Sequence, residues 1–231
     1  MVVTTEKPAI GVLTLGQTPR PDLVRAVQTI LPNAAISIRG GLDDLSAGEV
    51  ASLRAGPNPH YALLVRLANG ESMTVDMNGI LPNLEKQAEL LARDGARQIV
   101  LMCSSGFAAF SSPVPVLRPV MLFRMYADIL AVRRRVGTLS PIRAQVPAAS
   151  AYWQNLGYTA FSDFASPSDP EEVCAKANAL AENDVDCLLL DCIGFTQENL
   201  RQVQETVPMP VLLPMKLVQM FFHALSYSDS K

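Results

Sequence analysis

Residues 185–197 read VDCLLLDCIGFTQ, and the reading of this stretch decides the fold. Cys187 to Leu190 is a run of buried-strand residues that ends in an acid, Asp191. Cys192, Gly194 and Thr196 follow, and a polar helical segment opens at Gln197. The pattern is a strand that delivers a thiol to the entrance of a helix. An echo lies at residues 98–106, QIVLMCSSG, where Ile99 to Met102 run into Cys103, two serines and Gly106. The chain has only 4 cysteines in 231 residues, and two of them close apolar strands ahead of Gly and hydroxyl residues. One cysteine at a strand end is ordinarily a small buried residue. Matched placement is what makes Cys103 and Cys192 a candidate pair.

Other landmarks repeat with them. Ile10-Gly11-Val12-Leu13 is followed by Gln17-Thr18-Pro19-Arg20, and Val136-Gly137-Thr138-Leu139 by Ser140-Pro141-Ile142-Arg143. Between the strands, apolar residues recur at helical spacing, as in Leu23, Val27, Ile30 and again in Ile80, Leu84, Ala88, Leu91. Asp169-Pro170-Glu171-Glu172 has the form of a capping box with Pro at the first helical position. Strands alternating with helices through short loops imply parallel sheets covered on both faces. The expected fold is α/β, with two similar lobes, each a mostly parallel sheet flanked by helices. Residues 1–118 with the closing segment 208–231 are assigned to the first lobe and 119–207 to the second, with a cleft between. Asn69-Gly70 between two β-rich runs predicts a hairpin, read as an insertion in the first half.

Composition narrows the function classes. A hydrophobic content of 49% with 18% charged residues supports a packed core and argues against disorder. A net charge of -3 leaves no basic face for nucleic acid. No segment approaches the roughly 18 uninterrupted apolar residues of a membrane span, and the N-terminal stretch lacks the flanks of a signal peptide. A cytoplasmic protein is expected, with its cysteines as thiols. There is no CxxC pair, and His60 and His223 lie far from any cysteine in sequence, so neither a metal site nor a cofactor is expected. Self-association is left open.

Open α/β sheets bind ligands beyond the carboxyl ends of their strands. Two lobes related by a pseudo-twofold put Cys103 and Cys192 on opposite walls of one cleft. That suits a reaction which removes a proton from one face of a carbon and returns one to the other, with two acid/base groups of the same kind. A thiol of pKa near 8.5 needs help to ionise, and main-chain N–H groups near Ser104, Ser105, Gly106, Gly194 and Thr196 are candidates to give it. The same groups are candidates to hold a substrate carboxylate. Gln17, Thr18, Arg20 and Ser140 are candidate contacts on the two strand-end loops, or ordinary helix-entry turns. Phe195 and Phe107 read either as cleft wall or as lobe packing. Asp191, as an anion beside Cys192, would raise that thiol's pKa or serve structurally.

Four motifs taken together carry a family resemblance: TLGQTPR at 14–20, RLANGESMTVD at 66–76, LLLDCIGFTQ at 188–197 and PVLLP at 210–214. Over essentially the whole chain the sequence resembles the AroM family, which is similar to the aspartate/glutamate/hydantoin racemase superfamily. The resemblance implies the two-lobe fold and a paired-cysteine mechanism at Cys103 and Cys192. Two departures stand out. Amino-acid racemases typically follow the first cysteine with Asn-Thr, where this chain has Ser104-Ser105, and the second with Thr-His, where it has Ile193-Gly194. The expected function is that of a cofactor-independent racemase or isomerase acting on a small carboxylate. The alternatives are a decarboxylase or maleate-type isomerase on the same scaffold, and a small-acid-binding regulatory protein without turnover.

Overall fold

The computed structural model describes residues 9–56, 59, 61–106 and 109–225. The first half runs β1 (Ala9–Thr14), α1 (Pro21–Ile30), β2 (Ala35–Gly40), α2 (Ala47–Ser52), β3 (Ala62–Arg66), β4 (Ser72–Asp76), α3 (Met77–Arg93), β5 (Gln98–Leu101) and β6 (Val116–Leu117). The second runs α4 (Pro119–Leu130), β7 (Arg135–Ser140), a 3-10 turn (Arg143–Gln145), α5 (Val146–Asn155), β8 (Thr159–Phe164), α6 (Pro170–Ala181), β9 (Cys187–Leu190), α7 (Gln197–Gln204), β10 (Val211–Leu212) and α8 (Pro214–Ala224). One sheet has the order β2-β1-β5-β6 and the other β8-β7-β9-β10, and every pairing within them is parallel. The predicted α/β architecture of two similar lobes is therefore present. So is the hairpin, with β3 antiparallel to β4 in a sheet of its own.

The strand register explains why the two glycine strands match. Gly11 pairs with Ile99, and Gly137 pairs with Leu188. A Cβ on Gly11 would lie 3.1 Å from Ile99 Cγ1 and 3.2 Å from Leu91 Cδ1, and one on Gly137 would lie 2.8 Å from Leu188 Cδ1. Both positions thus let neighbouring apolar side chains close over the central strand. In each lobe a cysteine follows four residues after the glycine's partner, Cys103 after Ile99 and Cys192 after Leu188. One register, used twice, places both thiols just beyond the carboxyl edge of a sheet.

Proline sets where several helices start. Pro21, Pro119, Pro170 and Pro214 each stand at the entrance of α1, α4, α6 and α8, where the missing N–H costs nothing. The capping box predicted at α6 forms by half. Asp169 accepts from the Glu172 N–H at 3.0 Å, but the Glu172 carboxylate turns to the Ser166 N–H at 2.9 Å and so braces the loop before the helix.

The closing segment requires a correction. Residues 208–231 were expected in the first lobe, yet β10 pairs with β9 in the second sheet. The α8 residues Leu217, Val218 and Phe222 enter a core shared by both lobes, with Val12 and Val100 from one sheet, Val136 and Leu189 from the other, and Phe123 of α4. Separate clusters cover the outer faces, one under the hairpin and α3, the other under α6 and α7. Among the described residues, no helix is long and apolar enough to cross a membrane.

Candidate active site in the cleft between the lobes

Cys103 and Cys192 open onto one cavity of about 600 Å³, a volume suited to a small ligand. Cys103 is buried and Cys192 is half-buried. Neither environment favours the thiolate. Loss of hydration pushes Cys103 up to about 11, against smaller opposing effects from Ser105 hydrogen bonding and the Arg118 charge. Burial likewise pushes Cys192 up to about 12, and the nearby Cys103 adds to the rise. The Gly194 N–H donates to Cys192 Sγ at 3.2 Å and offsets part of this. Both shifts favour the protonated thiol at neutral pH.

The rest of the wall comes from several elements. Arg20 enters from the loop after β1 and pairs with Asp22 through contacts of 2.6 and 2.9 Å, and the guanidinium holds the Asp22 carboxyl below its usual range. Arg66 enters from the end of β3. The hairpin is clamped to the loop after β1: the Gln17 N–H donates to Arg66 O at 2.9 Å, and Gln17 Oε1 accepts from the Ala68 N–H at 3.1 Å. What reads in sequence as an insertion is thus a fixed wall of the cleft. Gln145 and the Ser166–Ser168 loop complete the opposite side.

Of the predicted contacts, Arg20, Ser104, Ser105 and Gly194 line the cavity with the two cysteines. The others do not, each for a local reason. Gln17 braces the hairpin. Thr18 gives both its N–H and its hydroxyl to the Asp43 carboxylate, at 2.8 and 2.9 Å. The Gly106 N–H donates to Tyr61 Oη at 3.2 Å, and the Tyr152 ring occupies the space a side chain would need, 2.3 Å from a Cβ there. Ser140 is sealed at the end of β7. Phe195 is core, packed with Leu200 and Val203. Thr196 caps α7: its hydroxyl accepts from the Asn199 N–H at 3.1 Å, and its own N–H donates to Asn199 Oδ1 at 2.8 Å. The helix entrance expected to hold a carboxylate is already capped. Phe107 and His60 lie outside the described residues.

Sequence reasoning missed Asp22, Gln145 and the Ser166–Ser168 loop, whose positions carry no motif, and Arg66, which opens the RLANGESMTVD motif but reads there only as part of a hairpin. It undervalued Asp191, which is a buried wall residue with its carboxyl pushed up to about 7 by desolvation. The available signal was an acid ending an otherwise wholly apolar strand.

Two lobes, each a parallel sheet flanked by helices, form a racemase-like fold, which this chain shares with several solved structures. A glutamate racemase from Aquifex pyrophilus superimposes with a TM-score of 0.56 at 16% identity, covering 94% of this chain and 83% of its own. An arylmalonate decarboxylase gives 0.62 at 16% identity over 97% of this chain and 94% of its own. The maleate isomerase Iso from Pseudomonas putida S16 gives 0.60 at 11% identity over 96% and 94%. At these identities the likeness is one of fold. The chain belongs to the AroM protein family, whose model matches residues 10–225. No curated protein matches it in sequence.

Proposed function

We propose that the cleft catalyses cofactor-independent proton transfer at a carbon beside a small carboxylate, as a racemase or isomerase, with Cys103 and Cys192 as the paired acid and base. The observation that carries this reading is the repeated register, which brings one thiol from each lobe to a single small cavity. One sulfur, as thiolate, takes the α-hydrogen as a proton. The C–H electron pair moves into the carboxylate to form an enediolate, and the opposite thiol then delivers its proton to the other face. Arg20 and Arg66 supply positive charge along the route of an anionic substrate. The thiolate is the demanding step: forming it from a thiol at about 11 in neutral solution costs about 5 kcal/mol.

That cost favours a second reading, decarboxylation. Loss of carbon dioxide leaves an enolate that only needs a proton, and the resting state of both sulfurs is the protonated one. The likeness to an arylmalonate decarboxylase supports the same alternative. Incubation of candidate acids in deuterated water separates the two. A racemase or isomerase exchanges the α-hydrogen without loss of mass, whereas a decarboxylase releases carbon dioxide and incorporates one deuteron. Exchange that persists unchanged in both Cys103→Ala and Cys192→Ala removes the cysteines from the chemistry.

A further inference from the structure

Two buried polar atoms in the cleft wall have no hydrogen-bond partner among the described residues, Asp191 Oδ1 and Ser104 Oγ. They come from opposite lobes: Asp191 follows β9, and Ser104 follows Cys103. Asp191 is 6% exposed and Ser104 2%. Ser104 stands near enough to Asp191 to ease its ionisation slightly, yet outside hydrogen-bond geometry. The main chain gives Asp191 little freedom, because its N–H donates to Leu139 O at 2.8 Å. Buried polar atoms are ordinarily satisfied, so two orphans facing one cavity mark where a ligand's polar atoms fit. No ion pair neutralises Asp191 among the described residues; of the two arginines that line the cavity, Arg20 is held by Asp22 and Arg66 stands at the end of β3.

We propose that Asp191 is a further catalytic residue, a neutral carboxylic acid whose O–H donates to a carboxylate oxygen of the ligand, so that the cleft recognises a small carboxylate through a proton held on the protein. The proposal rests on the small-carboxylate reading above and adds the group that recognises it. An ionised Asp191 would repel that ligand. Cys103 and Ser104 face Asp191 from beyond β5, Tyr61 from the start of β3, Tyr152 from α5, and Cys192 is its chain neighbour; Arg118 acts on Cys103 and Tyr152. The thiols and phenols of this group are all raised as well, so Asp191 is the first to lose its proton as pH rises. When the α-proton passes to a thiolate, the electron pair adds charge to the carboxylate oxygens, and the Asp191 O–H bond to one of them strengthens. The opposite thiol then returns a proton to carbon and the pair moves back. Because Asp191 is more acidic than either thiol, the thiolate beside a protonated Asp191 is the minor tautomer, and the reaction passes through it at the cost of forming that thiolate.

The test needs no substrate. Iodoacetate and iodoacetamide alkylate the same thiolate by the same displacement of iodide, so the ratio of their rates at Cys192 cancels thiol ionisation and reports the field felt by a carboxylate. In the wild type the iodoacetate-to-iodoacetamide ratio should fall by about tenfold or more between pH 5.5 and 8.5, the effect of one like charge at short range. In Asp191→Asn, which keeps a donor without titrating, it should stay flat. A flat wild-type ratio, or an equal fall in the variant, overturns the proposal. If Cys192 resists both reagents, infrared titration decides. The carbonyl band of a protonated carboxyl that is missing from Asp191→Asn should disappear near pH 7; disappearance in the ordinary aspartate range overturns it. α-Exchange that is absent from the wild type, or that persists in both cysteine variants, with the ratio result intact, would refute the reaction assigned to the cysteines and leave the carboxylate recognition standing.

Discussion

Replacing Asp191 by Asn should stabilise the fold increasingly as pH rises. The folded carboxyl binds its proton more tightly than the unfolded one, with a pKa of about 7 in place of 3.8. Its contribution to stability is therefore fully present below 3.8, declines as pH rises, and is lost once pH passes through about 7. A difference of about 3 pH units at 1.36 kcal/mol each makes the complete loss about 4 kcal/mol, of which roughly 2–3 kcal/mol falls between pH 5 and 8.5. For a chain of this size that is a shift of roughly 5–10 °C in Tm. Urea unfolding of wild type and Asp191→Asn at pH 5, 6.5 and 8.5 isolates the effect, since other titrating groups cancel in the difference. The gap between the two proteins should widen across this range and level off above pH 8. A constant gap would mean that Asp191 titrates as an ordinary surface carboxyl, and the electrostatic picture of the cleft would be wrong.

Gly106→Ala should destabilise by about 1–3 kcal/mol because its Cβ would lie 2.3 Å from Tyr152 Cγ. Much of that loss should vanish in a Tyr152→Ala background, and strictly additive unfolding energies would rule out the contact. Asp43→Ala removes the acceptor for the Thr18 N–H, the Thr18 hydroxyl and the Gly40 N–H, so a loss of about 1–3 kcal/mol is expected in chemical denaturation. The iodoacetate-to-iodoacetamide ratio at Cys192 should be unaffected, since neither Thr18 nor Asp43 lines the cavity. Asp22→Asn frees Arg20 for incoming anions and should raise that ratio, while Arg20→Ala should lower it; movement of both variants in the same direction would contradict the paired geometry.

How much could be read from the sequence follows from what each residue answers to. Gly11 and Gly137 answer to strand packing, a local demand with a local signature, and the repeat they mark is real in the register. Thr18 and Thr196 stand at helix entrances, where a hydroxyl serves equally well as brace, cap or ligand contact. Which one it becomes depends on Asp43 and Asn199, and nothing in the spacing decides it. The two-residue strand β10 is likewise placed by pairing with β9, too little sequence to announce its sheet. Arg66 reaches the cleft only because the hairpin folds back on the loop at Gln17.

The repeat also shows where the two halves part company. Aligned on Cys103 and Cys192, Met102 corresponds to Asp191, and Ser104 to Ile193. One sulfur is preceded by a thioether and followed by a hydroxyl, the other preceded by a carboxyl and followed by an aliphatic side chain, and all four neighbours line the same cavity. The repeated register supplies symmetric positions for the two sulfurs, but these differences make them chemically unlike. Among the described residues, the buried polar atoms of this cavity left without a hydrogen bond, Ser104 Oγ and Asp191 Oδ1, are the ones that break the symmetry. A carboxylate held between them would have its charge fixed at one orientation relative to the two sulfurs, so each thiol would meet its own face of the α-carbon in its own electrostatic setting. Reaction at the two faces would then differ in rate even though the backbone presents the thiols equivalently.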